Sequence, residues 1–484
     1  MPLAVVIAVF ALILSCPALA ENFLVIVADD LGVDGVAVYS RDDLYGHPGE
    51  GADPGPTPQI DQLAAEGVLF RYAYANSQCS PTRAATLTGR HGFRTGIGSP
   101  GGAFLGAAET TLPEILAPSH ATAAIGKWHI GAAELDHPIT SGFGYYAGRL
   151  ANLSDYYSWS KTTNSSTTAG STQDDFPTYV TTDNADEAIA KIAEFGENPW
   201  FIWLAFTAPH PPFHVPPDTL TTVAVDGSSS NKTKFEAAVE AMDTEIGRVL
   251  ASIPGPVLDQ TTIIFLGDNG TPGNVTGPSV DSSRAKATLY EGGIRVPFIV
   301  KSPRISLSDR GAENLALINS TDVFATVAEL AGVAASAEDS VSIVPYLDNP
   351  ALGTLRSCVY AEKFSPNGAG PYSDERRAAR NDTYKLIWRN GSFEEFFDLG
   401  LDPSERDNLL PVSDLDPQQA LAYATLADAM ENGSCAEPAA AIVPALNFAM
   451  SAILAAALAA LGGIAFQQRN YRRGVGPRSQ RGTH

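Results

Sequence analysis

Asn22-Phe-Leu-Val-Ile-Val-Ala-Asp-Asp30 is an unbroken apolar, β-rich run closed by two aspartates. A strand with one wet face alternates polar and apolar residues; a run without alternation fits a central parallel strand covered on both sides. Working outward, helical patterns occupy Ile60–Gly67, Asp186–Phe195 and Lys234–Ile253, and Thr321-Asp322 starts another that reaches Ala331. Apolar runs at Trp200–Phe206, Thr261–Leu266 and Val296–Lys301 read as further strands. Strands alternating with helices imply an α/β fold, a large domain with a mostly parallel central sheet flanked by helices. Ligands in such sheets collect outside the carboxyl ends of the strands. Asp29-Asp30, His210 and Asp268-Asn269 all follow apolar runs, so they are expected to share one site.

After about Arg356 the rhythm changes. Cys358–Lys363, Arg380–Trp388 and Phe393–Leu399 read as short strands before a final helix, a smaller C-terminal α+β domain with a short antiparallel sheet. The Ser-, Thr-, Asn- and Tyr-rich stretch Asn152–Thr182 reads as a surface loop that rims the site. No internal repeat is evident.

The net charge of −23, with nine lysines in 484 residues, argues against a nucleic-acid partner, whose phosphates need clustered cations. Residues 1–20 end in Ala-Leu-Ala and read as a secretory signal, although the usual basic start is missing. Residues 439–466 carry no charge and precede five arginines, which suggests a membrane-spanning or sorting helix with a basic cytoplasmic tail at 467–484. The body is then expected outside the membrane. Of the four cysteines, Cys16 leaves with the signal, and Cys358 and Cys435 are a candidate pair in an oxidising compartment. That leaves Cys79 as an odd cysteine in a polar loop.

Asp29, Asp30 and Asp268 bring three carboxylates together, and Asn269 adds a neutral oxygen. Their mutual repulsion is relieved by a hard divalent cation, and all-oxygen ligands favour Ca²⁺ or Mg²⁺ over zinc. In Gly126-Lys127-Trp128-His129 a lysine and a histidine fall on one side of an extended chain. His210 sits in a proline-rich loop, and Lys286 stands before Tyr290-Glu-Gly-Gly. Singly, each of these has a structural explanation.

Their order is more specific: Cys79-x-Pro81-x-Arg83, Leu87-Thr-Gly-Arg90, Gly-Lys127-Trp-His129, Ala-Pro-His210, Gly-Asp268-Asn269-Gly, and Lys286 before Tyr-Glu-Gly-Gly. This series resembles the sulfatases, over Asn22 to about Leu410. Phe397-Asp-Leu with Asp402-Pro, Glu405 and Asn408-Leu409 resembles the family's small C-terminal domain. Thr82 departs from the usual serine.

The resemblance implies that Cys79 is oxidised by a formylglycine-generating enzyme to Cα-formylglycine. Its hydrate would attack sulfur through a covalent sulfo-enzyme intermediate, giving a sulfuric ester hydrolase. It also implies Ca²⁺, with Mg²⁺ less favoured, held by Asp29, Asp30, Asp268, Asn269 and residue 79. Arg83 would stabilise the hydrate, Lys127 and Lys286 bind sulfate, His210 protonate the leaving oxygen, and His129 take the hydrate's second proton. Two alternatives are a phosphonate or phosphodiester hydrolase using the same nucleophile, and an inactive surface protein that binds sulfated glycans. Domain limits follow at 21–350 for the catalytic body and 351–438 for the small domain.

Overall fold

The computed structural model of the chain describes residues 21–40, 54–433 and 435. The expected signal, the apolar segment at 439–466 and the basic tail lie outside the described residues. Among the described residues, no helix is long and apolar enough to cross a membrane.

Ten strands form one sheet: β1 Asn22–Ala28, β2 Val68–Tyr74, β3 Ala121–Lys127, β4 Tyr145–Arg149, β5 Trp159–Ser165, β6 Ser171–Phe176, β7 Trp200–Ala205, β8 Thr261–Gly267, β9 Phe298–Lys301 and β10 Ala312–Asn319. Their order is β10-β2-β9-β8-β1-β7-β3-β4-β5-β6. The centre, β8-β1-β7-β3-β4, is parallel throughout, while β9 and β5 run against their neighbours.

The longer helices are α1 Pro58–Glu66, α2 Cys79–Thr88, α3 Val180–Phe195, α4 Asn231–Ser252, α5 Asp322–Leu330 and α6 Pro417–Asn432. The first five cover both faces of the sheet, α6 packs instead near Leu386 and Phe396, and β1 shows why its run is continuous. Leu24, Ile26 and Ala28 enter a core with Leu63 of α1, Ile192 of α3 and Met242 of α4. Phe23, Val25 and Val27 point the other way, into a core with Leu87 of α2 and Phe324 of α5. Period-two alternation is still present, but both faces are dry.

Four antiparallel strands make the second sheet: β11 Val359–Ser365, β12 Asp374–Arg380, β13 Tyr384–Arg389 and β14 Ser392–Asp398. Both sheets lie in one compact unit. Cys358 and Cys435 are disulfide-bonded, tying the segment after α6 to the start of β11.

Several expectations are corrected. The 152–182 stretch is not a loop: it supplies β5, β6 and the first turn of α3. β6 is the exposed edge strand, while β5 inside it buries Trp159 against Phe176; the pair also holds by the backbone ladder and by the hydroxyl pair Thr162–Thr172, 2.9 Å apart. Helix α3 begins at Val180, six residues before its apolar pattern, where Asp183 receives Lys161 at 2.5 Å. The run Arg380–Trp388 splits into β12 and β13 at Asn381, whose side-chain oxygen accepts from the Thr383 and Tyr384 N–H groups at 3.0 and 2.7 Å. Thr321 makes no capping bond to α5; its hydroxyl donates instead to the Asp339 carbonyl at 2.9 Å. β3, Ala-Thr-Ala-Ala-Ile-Gly-Lys, has little strand propensity of its own and exists because β7 and β4 flank it.

Candidate active site

The carboxyl ends of β1, β3, β7 and β8 converge, and each delivers chemistry. Asp29 and Asp30 close β1, Lys127 ends β3, the loop after β7 carries His210, and Asp268-Asn269 follow β8. Asp30 has φ 70° and His129 φ 64°, left-handed values that cost non-glycine residues energy and concentrate at functional sites. The chain is therefore not extended at Lys127–His129 as expected; the turn after β3 brings both side chains to the site. Gly270 lets the Asp268-Asn269 turn press onto the Gly292 carbonyl, where a Cβ would lie 1.9 Å from the oxygen. The glycines of the two motifs thus dock one turn against the other.

Cys79 is not in a loop. It is the first residue of α2, 2% exposed, at the positive end of the helix. Its Sγ lies 3.2 Å from His129 Nδ1, and the Ser80 hydroxyl donates to the His129 carbonyl at 2.6 Å. Burial pushes the Cys79 thiol up, and burial with Lys127 pushes the His129 imidazole far down. A protonated thiol therefore faces a neutral ring.

Arg83, fully buried, grips Asp268 Oδ2 with Nε at 3.0 Å and a terminal nitrogen at 2.8 Å, and donates to the Lys127 carbonyl at 2.6 Å. Lys127 pairs with Asp29 and Lys286 with Asp30. The Asp30 N–H donates to Asp268 Oδ1 at 3.0 Å, and Asn269 Nδ2 donates to Asp30 Oδ1 at 2.9 Å. His210 Nε2 lies 3.9 Å from Asp30 Oδ2. Burial would raise the Asp29 carboxyl, but Lys127, His210, Arg83 and Lys286 outweigh it and hold it far below its ordinary value. Burial, then Asp29, push Asp268 upward. All ten residues expected at the site are brought together. Lys286 and His210 keep 20% and 12% of their side chains exposed and so mark the mouth.

Asp29 Oδ1, Asp30 Oδ2 and Asn269 Oδ1 are buried and have no hydrogen-bond partner among the described residues. Oxygens from Asp29 and Asp268 and the Cys79 sulfur lie within 4.8 Å of one another, as do donor atoms of Asp29, Asp30 and His210. Orphaned buried oxygens are costly unless something positive satisfies them. A hard divalent cation fits this donor set.

Tyr156 carries no motif signal, and its polar stretch hides it. Its hydroxyl bridges the carbonyls of Thr207 and His210 at 3.0 and 2.7 Å, and its ring stacks on His214 with centroids 3.7 Å apart. His214 is in turn held by the Tyr179 hydroxyl at 2.8 Å and by the Pro212 carbonyl at 3.1 Å. This brace sets the position of His210. Tyr156→Phe is expected to slow turnover about tenfold, as for loss of one positioned hydrogen-bond pair. If His210 protonates the leaving oxygen, as the resemblance implies, the loss should be larger for alkyl than for nitrophenyl esters; equal losses would mean a merely structural role.

A parallel-sheet active site with three carboxylates, three cations, two histidines and a cysteine at a helix start defines the class, and comparison with known proteins identifies the family. Residues 21–333 match the model of the sulfatase domain, and residues 284–432 match that of the N-sulphoglucosamine sulphohydrolase C-terminal region. The chain belongs to the sulfatase family. It is 28% identical over 369 residues to human N-acetylgalactosamine-6-sulfatase, covering 67% of this chain and 65% of the relative. It is 27% identical over 428 residues to rat arylsulfatase G, covering 76% of each. The match thus spans just under two thirds of the length of the N-acetylgalactosamine-6-sulfatases. The fold is shared with Ps i-CgsB (TM-score 0.69, 23% identity, 85% of this chain and 92% of that one). It is also shared with the PsFucS1 sulfatase from Pseudoalteromonas sp. (TM-score 0.68, 22% identity, 88% and 93%).

Proposed function

We propose that the chain is an exported hydrolase of sulfuric esters, with sulfated glycans as its substrate class. The observation that carries this reading is the meeting of the three orphaned oxygens of Asp29, Asp30 and Asn269 with Cys79 and its flanking cations. The names of the relatives, N-acetylgalactosamine-6-sulfatase among them, support a sugar sulfate. Conversion of Cys79 needs a formylglycine-generating enzyme as partner during export, and residues 439–466 are the candidate membrane anchor.

When present, Ca²⁺ (Mg²⁺ as second choice) and the hydrated formylglycine at position 79 supply a Lewis acid and an oxygen nucleophile for attack on sulfur. Asp29, Asp30, Asp268, Asn269 and residue 79 would hold the cation. Arg83, locked by Asp268 and the Lys127 carbonyl, fixes positive charge beside residue 79. Lys127 and Lys286 bind sulfate oxygens and offset charge as it develops. His129 Nδ1 faces the atom borne by residue 79 and takes a proton there. His210, near the mouth, gives a proton to the departing oxygen. Three carboxylates and three cations cancel, so a divalent cation leaves the site positive, as an anionic ester requires.

The test is the mass of the tryptic peptide Tyr72–Arg83 from exported protein, together with turnover of nitrophenyl sulfate, phosphate and phosphonate esters. Replacement of the thiol by an aldehyde oxygen and preference for sulfate are expected. An unmodified Cys79 in folded, exported material, or preference for phosphonate, overturns the reading.

Metal removal has an independent readout. Adding Ca²⁺ at about a hundred times its Kd should stabilise the chelated protein by about 2.7 kcal/mol, seen as a rise in Tm. No shift with either Ca²⁺ or Mg²⁺ would exclude a hard-cation site.

A further inference from the structure

Beside the candidate site, a polar cleft of about 230 Å³ is lined by Arg149, Ser154, Ser158, Ser160, Asp174 and Asp175, with Leu153 and Trp159 beneath. The hydrolytic constellation does not use it. Its place is fixed by the sheet. Arg149 ends β4 opposite Lys127 in register, and the N–H groups of Trp128 and His129 donate to the Arg149 and Leu150 carbonyls at 2.9 and 3.0 Å. Ser158 and Ser160 flank the start of β5, and Asp174 and Asp175 lie near the end of β6. All belong to the carboxyl edge of the sheet, one to three strand spacings from β3, or about 5–14 Å. That is where the next residue of a chain-like substrate seated on Lys127 would lie.

The chemistry of the lining selects among ligands. Arg149 Nε donates to the Asn152 carbonyl at 3.2 Å, and among the described residues the guanidinium has no carboxylate partner. Its remaining N–H groups are available as donors. Asp174 accepts from the Ser160 hydroxyl at 2.6 Å and Asp175 from the Ser158 hydroxyl at 3.1 Å, each through Oδ1, which leaves Oδ2 as an acceptor. Asp175 is held at φ 52°, a strained conformation that aims this end of β6. Carboxylate acceptors, guanidinium donors and hydroxyls together suit a ligand whose groups both donate and accept, namely a sugar. Two carboxylates against one guanidinium disfavour a second sulfate. The volume, below the 300–1,000 Å³ usual for drug-sized ligands, suits a single ring.

We propose that this cleft is a glycan subsite that takes a neutral sugar residue next to the sulfated one, so that the substrate is an oligosaccharide rather than an isolated sugar sulfate. The proposal rests on the sulfatase reading, and its test is separable from it. The full-length chain carrying Cys79→Ala, which has no nucleophile at residue 79, is applied to an array of sulfated oligosaccharides and sulfated monosaccharides. Adding Arg149→Ala should weaken oligosaccharide binding about tenfold and leave monosaccharide binding unchanged. Ser154→Trp, which fills the cleft from an exposed position, should do the same without touching the core. Equal retention of oligosaccharides and monosaccharides, no effect of either substitution, or no saccharide retained overturns the subsite. In the exported wild-type background, Arg149→Ala should keep nitrophenyl sulfate turnover within about twofold. A wild type inert on aryl sulfate would sink the sulfatase reading and leave the binding comparison intact.

Discussion

Cys79→Ser is expected to reduce sulfate-ester turnover about a thousandfold or more, the scale on which removing a nucleophile acts. The variant should nevertheless fold. Cys79 Sγ contacts His129 but is not in a disulfide, and a serine hydroxyl at the first turn of α2 is tolerated there. A serine has one oxygen where a hydrated aldehyde has two. It can be sulfated but has no second hydroxyl from which to expel the sulfate, so intact mass should show sulfate retained on residue 79 after exposure to substrate. Turnover within tenfold of wild type, with folding preserved, would falsify the assignment of residue 79 as nucleophile. Retained sulfate with lost turnover would also separate failed release from failed binding.

Lys385→Met is expected to cost about 3–5 kcal/mol of stability, because removing one partner of a buried ion pair strands the other. Lys385 is fully buried between Glu291 at 3.1 Å and Glu405 at 2.8 Å. Arg380 also approaches Glu291, at 3.5 Å, but among the described residues Lys385 is the cation that pairs with Glu405. Burial already pushes the Glu405 carboxyl up to about 7 against the pull of Lys385. A carboxyl raised in the folded state stabilises folding below its unfolded value and loses that contribution as pH rises through the folded one. Removing Lys385 should therefore cost more at pH 8 than at pH 5.5, in urea unfolding at both values. Adding Glu405→Gln should recover part of the loss. A cost below about 1 kcal/mol, independent of pH, would mean that Glu405 is not stranded. This network joins β13 to the turn that follows Lys286, since the Glu291 N–H donates to Glu405 at 2.6 Å. The small domain therefore helps to set the position of Lys286, the lysine proposed to bind sulfate.

Legibility followed burial and chemistry. β1, β7 and β8 were readable because strands covered on both faces are continuously apolar, and their ends announced where the aspartates and His210 would meet. The ordered motifs then named Cys79, Arg83, Lys127, His129 and Lys286. β3, β5 and β6 were not readable. Alanines and hydroxyl residues have no strand preference strong enough to show, and neighbours supply the ladder that makes them strands. Tyr156 was invisible for a similar reason: its role is a pair of bonds to carbonyls some fifty residues away.

By itself the sequence determined the fold class, and it supplied the candidate site residues and the expectation of a hard cation. Local periodicity encodes the fold class and clustered carboxylates the cation, while the order of the motifs, through their resemblance to the sulfatases, nominates the residues. Only the tertiary structure decided that Cys79 opens a buried helix facing His129, that three site oxygens find no partner among the described residues, and that a polar cleft lies at the same sheet edge as Lys127. Each of these depends on the distance between segments far apart in the chain, which packing of the whole sheet sets and no single stretch contains.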